Sequence, residues 1–202
     1  MPNRETEYRQ ALAQADACVE EAAGACAADP RRPIFHVMPK GRFMNDPNGP
    51  VYFNGEYHVF YQHLPFFGDE RHDGRPYWGH AVSPDLVHWE QLPIALAPGP
   101  EPYDSGACAS GGCVVRDGVP TIVYTGFAGK QVQCLAMSDD NGRTWRKYEG
   151  NPVVAAPPDI ENLADGFRDP VVWQEDDEWR MLVGSAIQAK AVRRSSIARR
   201  TS

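Results

Sequence analysis

NDPNGPVYFNGEYHVFYQ (Asn45 to Gln62), ASGGCVVRDGVPTIVYTG (Ala109 to Gly126) and RDPVVWQEDDEWRMLVGS (Arg168 to Ser185) can be laid over one another. Each has a polar start bearing Gly or Pro, an apolar strand, a tight turn and a second apolar strand. Asn54-Gly55 and Asp117-Gly118 suit the positive φ angles of a two-residue hairpin turn. Between the copies, WGHAVSPDLVHWEQLP and CLAMSDDNGRTWRKYEGNP each predict a further strand, a turn and a short outer strand ending in Trp89 or Trp145. Four strands per repeating unit predict an all-β fold, a β-propeller. The innermost strand of each blade borders the central channel. The residues that open the copies, Asp46, Ser110 and Asp169, stand 64 and 59 residues apart and are therefore expected to meet in one funnel.

Working outward, residues 4–28 are rich in Ala, Glu and Gln and place Tyr8, Leu12, Ala15, Val19 and Ala22 at helical spacing, which predicts an N-terminal α-helix. The segment DPRRP (Asp29 to Pro33) ends it, because proline cannot continue a helix. The stretch SDDNGRTW (Ser138 to Trp145) fits the Asp-box pattern S-x-D-x-G-x-T-W, whose Asp and Ser tie down a turn while Trp packs between sheets. The expected organisation is a helix and linker over 1–33, a partial propeller over 34–185 and a basic tail over 186–202.

The 202 residues carry 27 acids against 20 Lys and Arg, a formal charge of −7. That balance argues against nucleic acid or an anionic membrane as the main partner. Five cysteines, an odd number with no CxxC pair, argue against a disulfide framework and a zinc site. Neither a metal nor a cofactor is expected. The charged N-terminus MPNRETEYRQ lacks the apolar core of a secretory signal, so the expected location is cytoplasmic.

An aspartate before proline is common in turns, and taken alone Asp46 or Asp169 reads as a structural residue. The matching positions in separate repeats weigh the other way. So do six ordered stretches: FMNDPNG (Phe43 to Gly49), YHVFYQ (Tyr57 to Gln62), WGHAVSPDLVHW (Trp78 to Trp89), SGG (Ser110 to Gly112), YTG (Tyr124 to Gly126) and FRDP (Phe167 to Pro170). Together they resemble glycoside hydrolase family 32, the invertases and other β-fructosidases, from about Ile34 to Gln188.

The resemblance implies a five-bladed propeller, of which about three blades are represented, followed by a C-terminal β-sandwich that is absent here. It implies retaining hydrolysis of a terminal β-fructoside, a small molecule or an oligosaccharide. That chemistry needs a carboxylate nucleophile and a carboxylic acid that protonates the leaving oxygen. Asp46 matches the family nucleophile, with Asn45 and Asn48 suited to orient it through amide donors. Asp169 matches the transition-state stabiliser, and Arg168 beside it suits sugar binding. Asn45, Gln62, Trp78 and Ser110 match sugar-contacting positions. For Trp78 stacking on a sugar face competes with filling the core, and the family pattern favours stacking.

The chain also departs from the family. Phe43 stands where Trp is common, and Ala109 and Gly112 flank Ser110 where many members have Phe and Ser. The family acid/base, a Glu followed by Cys, falls by the internal period near residue 229, past Ser202. Glu175 and Glu178 are the only glutamates after Asp169, and neither precedes Cys. The segment Ala186 to Ser202 holds five cations and no acid, and apolar alternation is expected to stop there, as in a disordered or frame-shifted tail. The expected chain is thus a β-fructosidase portion without its acid. The rival readings are an arabinanase- or sialidase-like propeller glycosidase and a non-catalytic sugar-binding remnant.

Overall fold

The computed structural model describes residues 3–155, 163–187 and 191–200. A helix α1 (Arg4–Ala27) precedes eleven strands. The first sheet is formed by β1 (Phe43–Phe53), β2 (Glu56–Leu64), β3 (Tyr77–Ser83) and β4 (Glu90–Leu96), hydrogen-bonded in chain order. The second repeats that order with β5 (Ala107–Arg116), β6 (Val119–Phe127), β7 (Gln131–Met137) and β8 (Arg146–Lys147). The third comprises β9 (Leu163–Glu175), β10 (Glu178–Ile187) and β11 (Ala191–Arg200). Two four-stranded blades and a three-stranded one make a partial β-propeller.

The turns obey the residues that build them. Asn54 and Gly55 sit at φ 50° and 85°, Asp117 and Gly118 at 51° and 78°, the left-handed pair that a two-residue hairpin requires. The acidic turn between β9 and β10 places Asp176 at φ 53°.

Two expectations are corrected. The outer strands begin after Trp89 and Trp145 rather than ending in them. The segment expected as a disordered basic tail forms β11 over 191–200, paired with β10 from Ile187↔Ala191 to Glu178↔Arg200. The pairing joins backbone groups, which every residue other than proline carries in full whatever its side chain. Without β11, the outer row of N–H and C=O groups on β10 would have no strand partner. Residues 188–190 and 201–202 of that segment lie outside the described residues.

The Asp-box turn is built as its residues dictate. Asp140 Oδ1 accepts from the N–H of Arg143 (3.0 Å) and Thr144 (2.8 Å), while Thr144 Oγ1 donates to Oδ2 at 2.6 Å. Trp145, buried, lies edge-on to Phe60 of the first blade at 5.3 Å. Asp85 makes the same kind of turn before β4, accepting from the N–H of Val87 (2.9 Å) and His88 (2.8 Å). Replacing Asp140 with Ala is expected to cost about 1–2 kcal/mol of folding stability. Urea unfolding measures it, and an unchanged midpoint contradicts the structural role.

The main core lies between the first two blades, where Phe60, Trp78 and Leu96 meet Cys108, Ile122, Tyr124, Cys134 and Trp145. The helix seals the outside of the first blade through Tyr8, Ala15, Cys18 and Val19 on Phe66, Tyr77 and Ile94. Polar pins fix it there: Asp16 Oδ1 accepts from Ile94 N–H at 3.0 Å, and Arg71 bridges Glu21 (2.7 Å) and Asp69 (2.6 Å). Where α1 and the first two blades come together lies a buried ion pair. Lys147 Nζ is 2.6 Å from Asp104 Oδ2, with the side chains 8% and 0% exposed.

Candidate active site

Each residue that opens a repeat lies where strand pairing slips. In β1, Met44 pairs with His63 and Pro47 with Tyr61, so Asn45 and Asp46 together face Gln62. In β5, Ala109 pairs with Thr125 and Gly111 with Tyr124, so Ser110 has no residue opposite. In β9, Arg168 pairs with Gly184 and Val171 with Leu182, so Asp169 and Pro170 together face Val183. These are β-bulges, which remove a residue from the in-out alternation and re-aim its side chain. Proline lacks the N–H that a regular ladder needs, so an Asp-Pro step in β1 and again in β9 is a local cause of the slip.

The three strands run close together. A Cβ on Gly49, which sits at φ 46°, would fall 2.7 Å from the Cys113 backbone nitrogen, and one on Gly112 would lie 3.6 Å from the Pro170 carbonyl oxygen. Only a glycine admits that approach of β1 to β5. The bulged stretches of three blades are thereby brought alongside one another.

There Ser110 Oγ donates to Asp46 Oδ2 at 3.4 Å. The Arg168 guanidinium Nε stands 3.5 Å from Asp169 Oδ2, with both side chains more than half exposed. Burial pushes the Asp169 carboxyl above its ordinary value. Arg168 pulls it down, and the negative charge of Asp46 pushes it up again. The Pro170 carbonyl stands against Gly112, two residues past Ser110, so the Asp169 bulge lies beside the strand whose Ser110 meets Asp46. A concave surface of about 500 Å³ opens over residues 38–47, walled by Arg42, Phe43, Asn45 and Asp46 among others. Arg42 is not free to meet a ligand. Its guanidinium donates to the Cys18 and Phe67 carbonyls and to Asp69.

Other expected site residues fall elsewhere. Trp78 is 0% exposed, its indole N–H donating to the Ala109 carbonyl at 3.1 Å. It fills the core between the blades and presents no face for stacking, because β3 is buried on both sides. Gln62 is buried and commits Nε2 to the Cys108 carbonyl at 3.0 Å. Asn45 is exposed and Asn48 buried. Among the described residues neither donates to Asp46, whose hydrogen bond comes from Ser110. Two features had escaped the sequence reading. Phe67, half exposed, packs on Phe43 with ring centroids 5.1 Å apart and so extends the apolar rim. Thr125 and Gln133 form a buried link to β9. Thr125 lies within the YTG motif, whereas nothing in the sequence marks Gln133.

The model of the glycosyl hydrolases family 32 N-terminal domain matches residues 36–195. The chain belongs to glycosyl hydrolase family 32. Its match takes in the first ten residues of the basic segment 186–202. A raffinose invertase of Escherichia coli is 44% identical over 163 residues, which are 76% of this family 32 chain and 32% of the relative. A sucrose-6-phosphate hydrolase of Zymomonas mobilis is 48% identical over 75% of the chain and 30% of the relative. The chain thus spans about a third of the length of the curated relatives it matches. Among solved structures, a family 32 β-fructofuranosidase of Bombyx mori superposes with a TM-score of 0.79 at 36% identity, covering 95% of this chain and 40% of that one. A fructan 1-exohydrolase of Cichorium intybus in complex with 1-kestose gives 0.72 at 37% identity, over 85% of this chain and 32% of that one. The family resemblance of the ordered motifs and the propeller architecture are both borne out. No helix among the described residues is long and apolar enough to cross a membrane.

Proposed function

We propose that this chain carries the nucleophile and stabiliser portion of a retaining β-fructosidase site, for sucrose or a related fructoside. One observation carries the reading: bulges in separate blades set Asp46 on Ser110 and place the Asp169 bulge, with Arg168, against the strand that carries Ser110. In this reading Asp46 attacks the anomeric carbon of fructose as the glycosidic C–O bond breaks and the leaving alcohol departs, and water then hydrolyses the fructosyl ester. Ser110 holds the attacking carboxylate in place. Asp169, with its raised proton affinity, grips the fructose hydroxyls whose hydrogen bonds strengthen as positive charge develops on the ring. Arg168 and Asn45, both exposed, offer donors to the same sugar. The fructosides named for the relatives, sucrose phosphate and 1-kestose among them, are the class to try first.

The acid that protonates the leaving oxygen has no candidate in the described site. Glu175 and Glu178 flank the β9–β10 turn, and Glu175 is ion-paired with Arg180 at 2.8 Å. Six residues of strand separate Asp169 from Glu175, roughly 20 Å at the usual rise. Loss of a general acid costs a factor of about 10²–10⁴ in rate. The purified 202-residue polypeptide is therefore expected to bind fructose in a calorimetric titration and to release little from sucrose. Robust fructose release overturns the statement about the acid, and absence of binding at millimolar fructose overturns the site. A cytoplasmic location completes the proposal, supported by five free cysteines, four of them buried, a pattern at home in a reducing compartment.

A further inference from the structure

Asp169 adopts φ 58°, a left-handed conformation that costs a non-glycine residue free energy and persists only where neighbours over-determine it. The neighbours are visible. Asp169 N–H donates to Thr125 Oγ1 at 3.1 Å. Thr125 Oγ1 donates in turn to Gln133 Oε1 at 3.0 Å. Gln133 Nε2 donates to the Phe167 carbonyl at 2.6 Å, and Phe167 N–H donates to Gln131 Oε1 at 2.7 Å. Thr125 and Gln133 are both 0% exposed. Every link has one donor and one acceptor, so the direction of the chain admits no slack. It runs from the second blade into the third and holds β9 at Phe167 and at the Asp169 amide, on the N-terminal side of the bulge.

The first blade does the same for the second. Gln62 and Trp78 are register partners, as are Thr125 and Gln133. Gln62 donates to the Cys108 carbonyl and Trp78 to the Ala109 carbonyl, the two residues before bulged Ser110. A pair on the middle strands of one blade thus grips the innermost strand of the next at its bulged residue or within two residues of it, twice over. Burial of both side chains in each pair makes a packing role alone a poor account of Thr125 and Gln133. A buried valine and a buried leucine would fill that seam without the desolvation that these polar groups incur.

We propose that Thr125 and Gln133 are positioning residues, holding Asp169 at its left-handed bulge beside the strand on which Ser110 meets Asp46. The inference rests on the fructosidase reading for its consequence in sugar binding, but not for the geometry itself.

The test uses the 202-residue chain with Thr125→Val, Thr125→Ser and Gln133→Met. In wild type the Asp169 amide is expected to exchange slowly although its side chain is exposed. In Thr125→Val it is expected to exchange at least roughly tenfold faster, as befits a lost hydrogen bond, with the β5–β6 amides unchanged. The Asp169 carboxyl, followed by carbon NMR, is expected to titrate closer to an ordinary aspartate once it leaves its partly buried position. Fructose affinity is expected to fall roughly tenfold, and Thr125→Ser to restore all three. A folded Thr125→Val with wild-type exchange and titration at Asp169 overturns the proposal. Should Thr125→Val not fold, Gln133→Met decides by the same readings. Should neither fold, an Asp169 amide in wild type that exchanges as fast as an unprotected one overturns it. If wild type binds no fructose, the fructosidase reading fails while exchange and titration still judge the brace.

Discussion

Lys147→Met is expected to destabilise the chain by about 3–5 kcal/mol, the usual consequence of leaving one half of a buried ion pair unpaired. Asp104 is 0% exposed and reaches Lys147 Nζ at 2.6 Å. It also accepts from Tyr124 OH at 2.7 Å and from Gly99 N–H at 3.2 Å. Lys147 donates to the Ala97 and Gly99 carbonyls at 2.8 and 3.1 Å and stands 4.6 Å over the Tyr8 ring. One ammonium thus ties the second blade to the end of the first blade and to α1. Burial opposes the charge on Lys147, yet its anionic surroundings win and raise its pKa. Removing the ammonium strands a carboxylate with no access to water. The double replacement Lys147→Met with Asp104→Leu removes both charges and is expected to regain much of the loss. Equal urea midpoints for Lys147→Met and wild type would contradict this account.

Acid is expected to loosen the seam between the first two blades before it protonates Asp69 and Asp85. His58 and His80 are buried against each other, Nδ1 to Nε2 at 3.1 Å, with His58 Nε2 and His80 Nδ1 unpartnered. Phe60 stacks on His80 and Trp145 packs edge-on to it. The charged groups that act on the pair are Glu56 and Arg143, which are paired with each other at 2.5 Å. Burial holds both imidazoles below their ordinary value, and His63, buried beside the Phe43 carbonyl, is pulled down to about 4. A histidine depressed in the folded state takes up its proton more readily when unfolded. Its stabilising contribution is complete above about 6.5 and is lost as pH falls toward the folded value. For His63 alone the loss amounts to about 3 kcal/mol by pH 4. Asp69 and Asp85 are also held below the ordinary range by their hydrogen bonds, but their loss belongs to pH below about 4. The urea midpoint is expected to drop between pH 6.5 and 4, and His80→Phe to flatten part of that slope. A midpoint level across the window would refute the assignment.

Much of the fold could be read from hairpin chemistry. Asn54-Gly55 and Asp117-Gly118 specify their turns through their own φ preferences, and the strands on either side follow by alternation. The Asp-box was equally legible, because Ser138, Asp140 and Thr144 bond within their own turn. The helix followed from spacing and from a proline-bearing stop. What failed was judged on side chains where backbone decided the outcome. The segment 191–200 read as an irregular tail, yet β10 offers it a full row of hydrogen-bonding groups.

The site divides along the same line. Asp46 and Asp169 were recognisable because each precedes a proline at the start of an apolar strand. The chain order of the motifs allied them with family 32. Trp78 and Gln62 carry the same family signature and turn out to face inward, since a motif preserves residue type but says nothing of exposure. Thr125 and Gln133 act on Asp169 from 44 and 36 positions away in the chain, a relation that no local pattern encodes.

The sequence by itself determined the turns, the blade-like repeat and the two Asp-Pro steps, because those depend on bonds and torsions among near neighbours. Only the tertiary structure decided which polar residues stay exposed at the bulges and which are buried behind them. That choice depends on where β1, β5 and β9 slip against their partners, and on how closely three blades approach at Gly49 and Gly112. Both are properties of strands packed together.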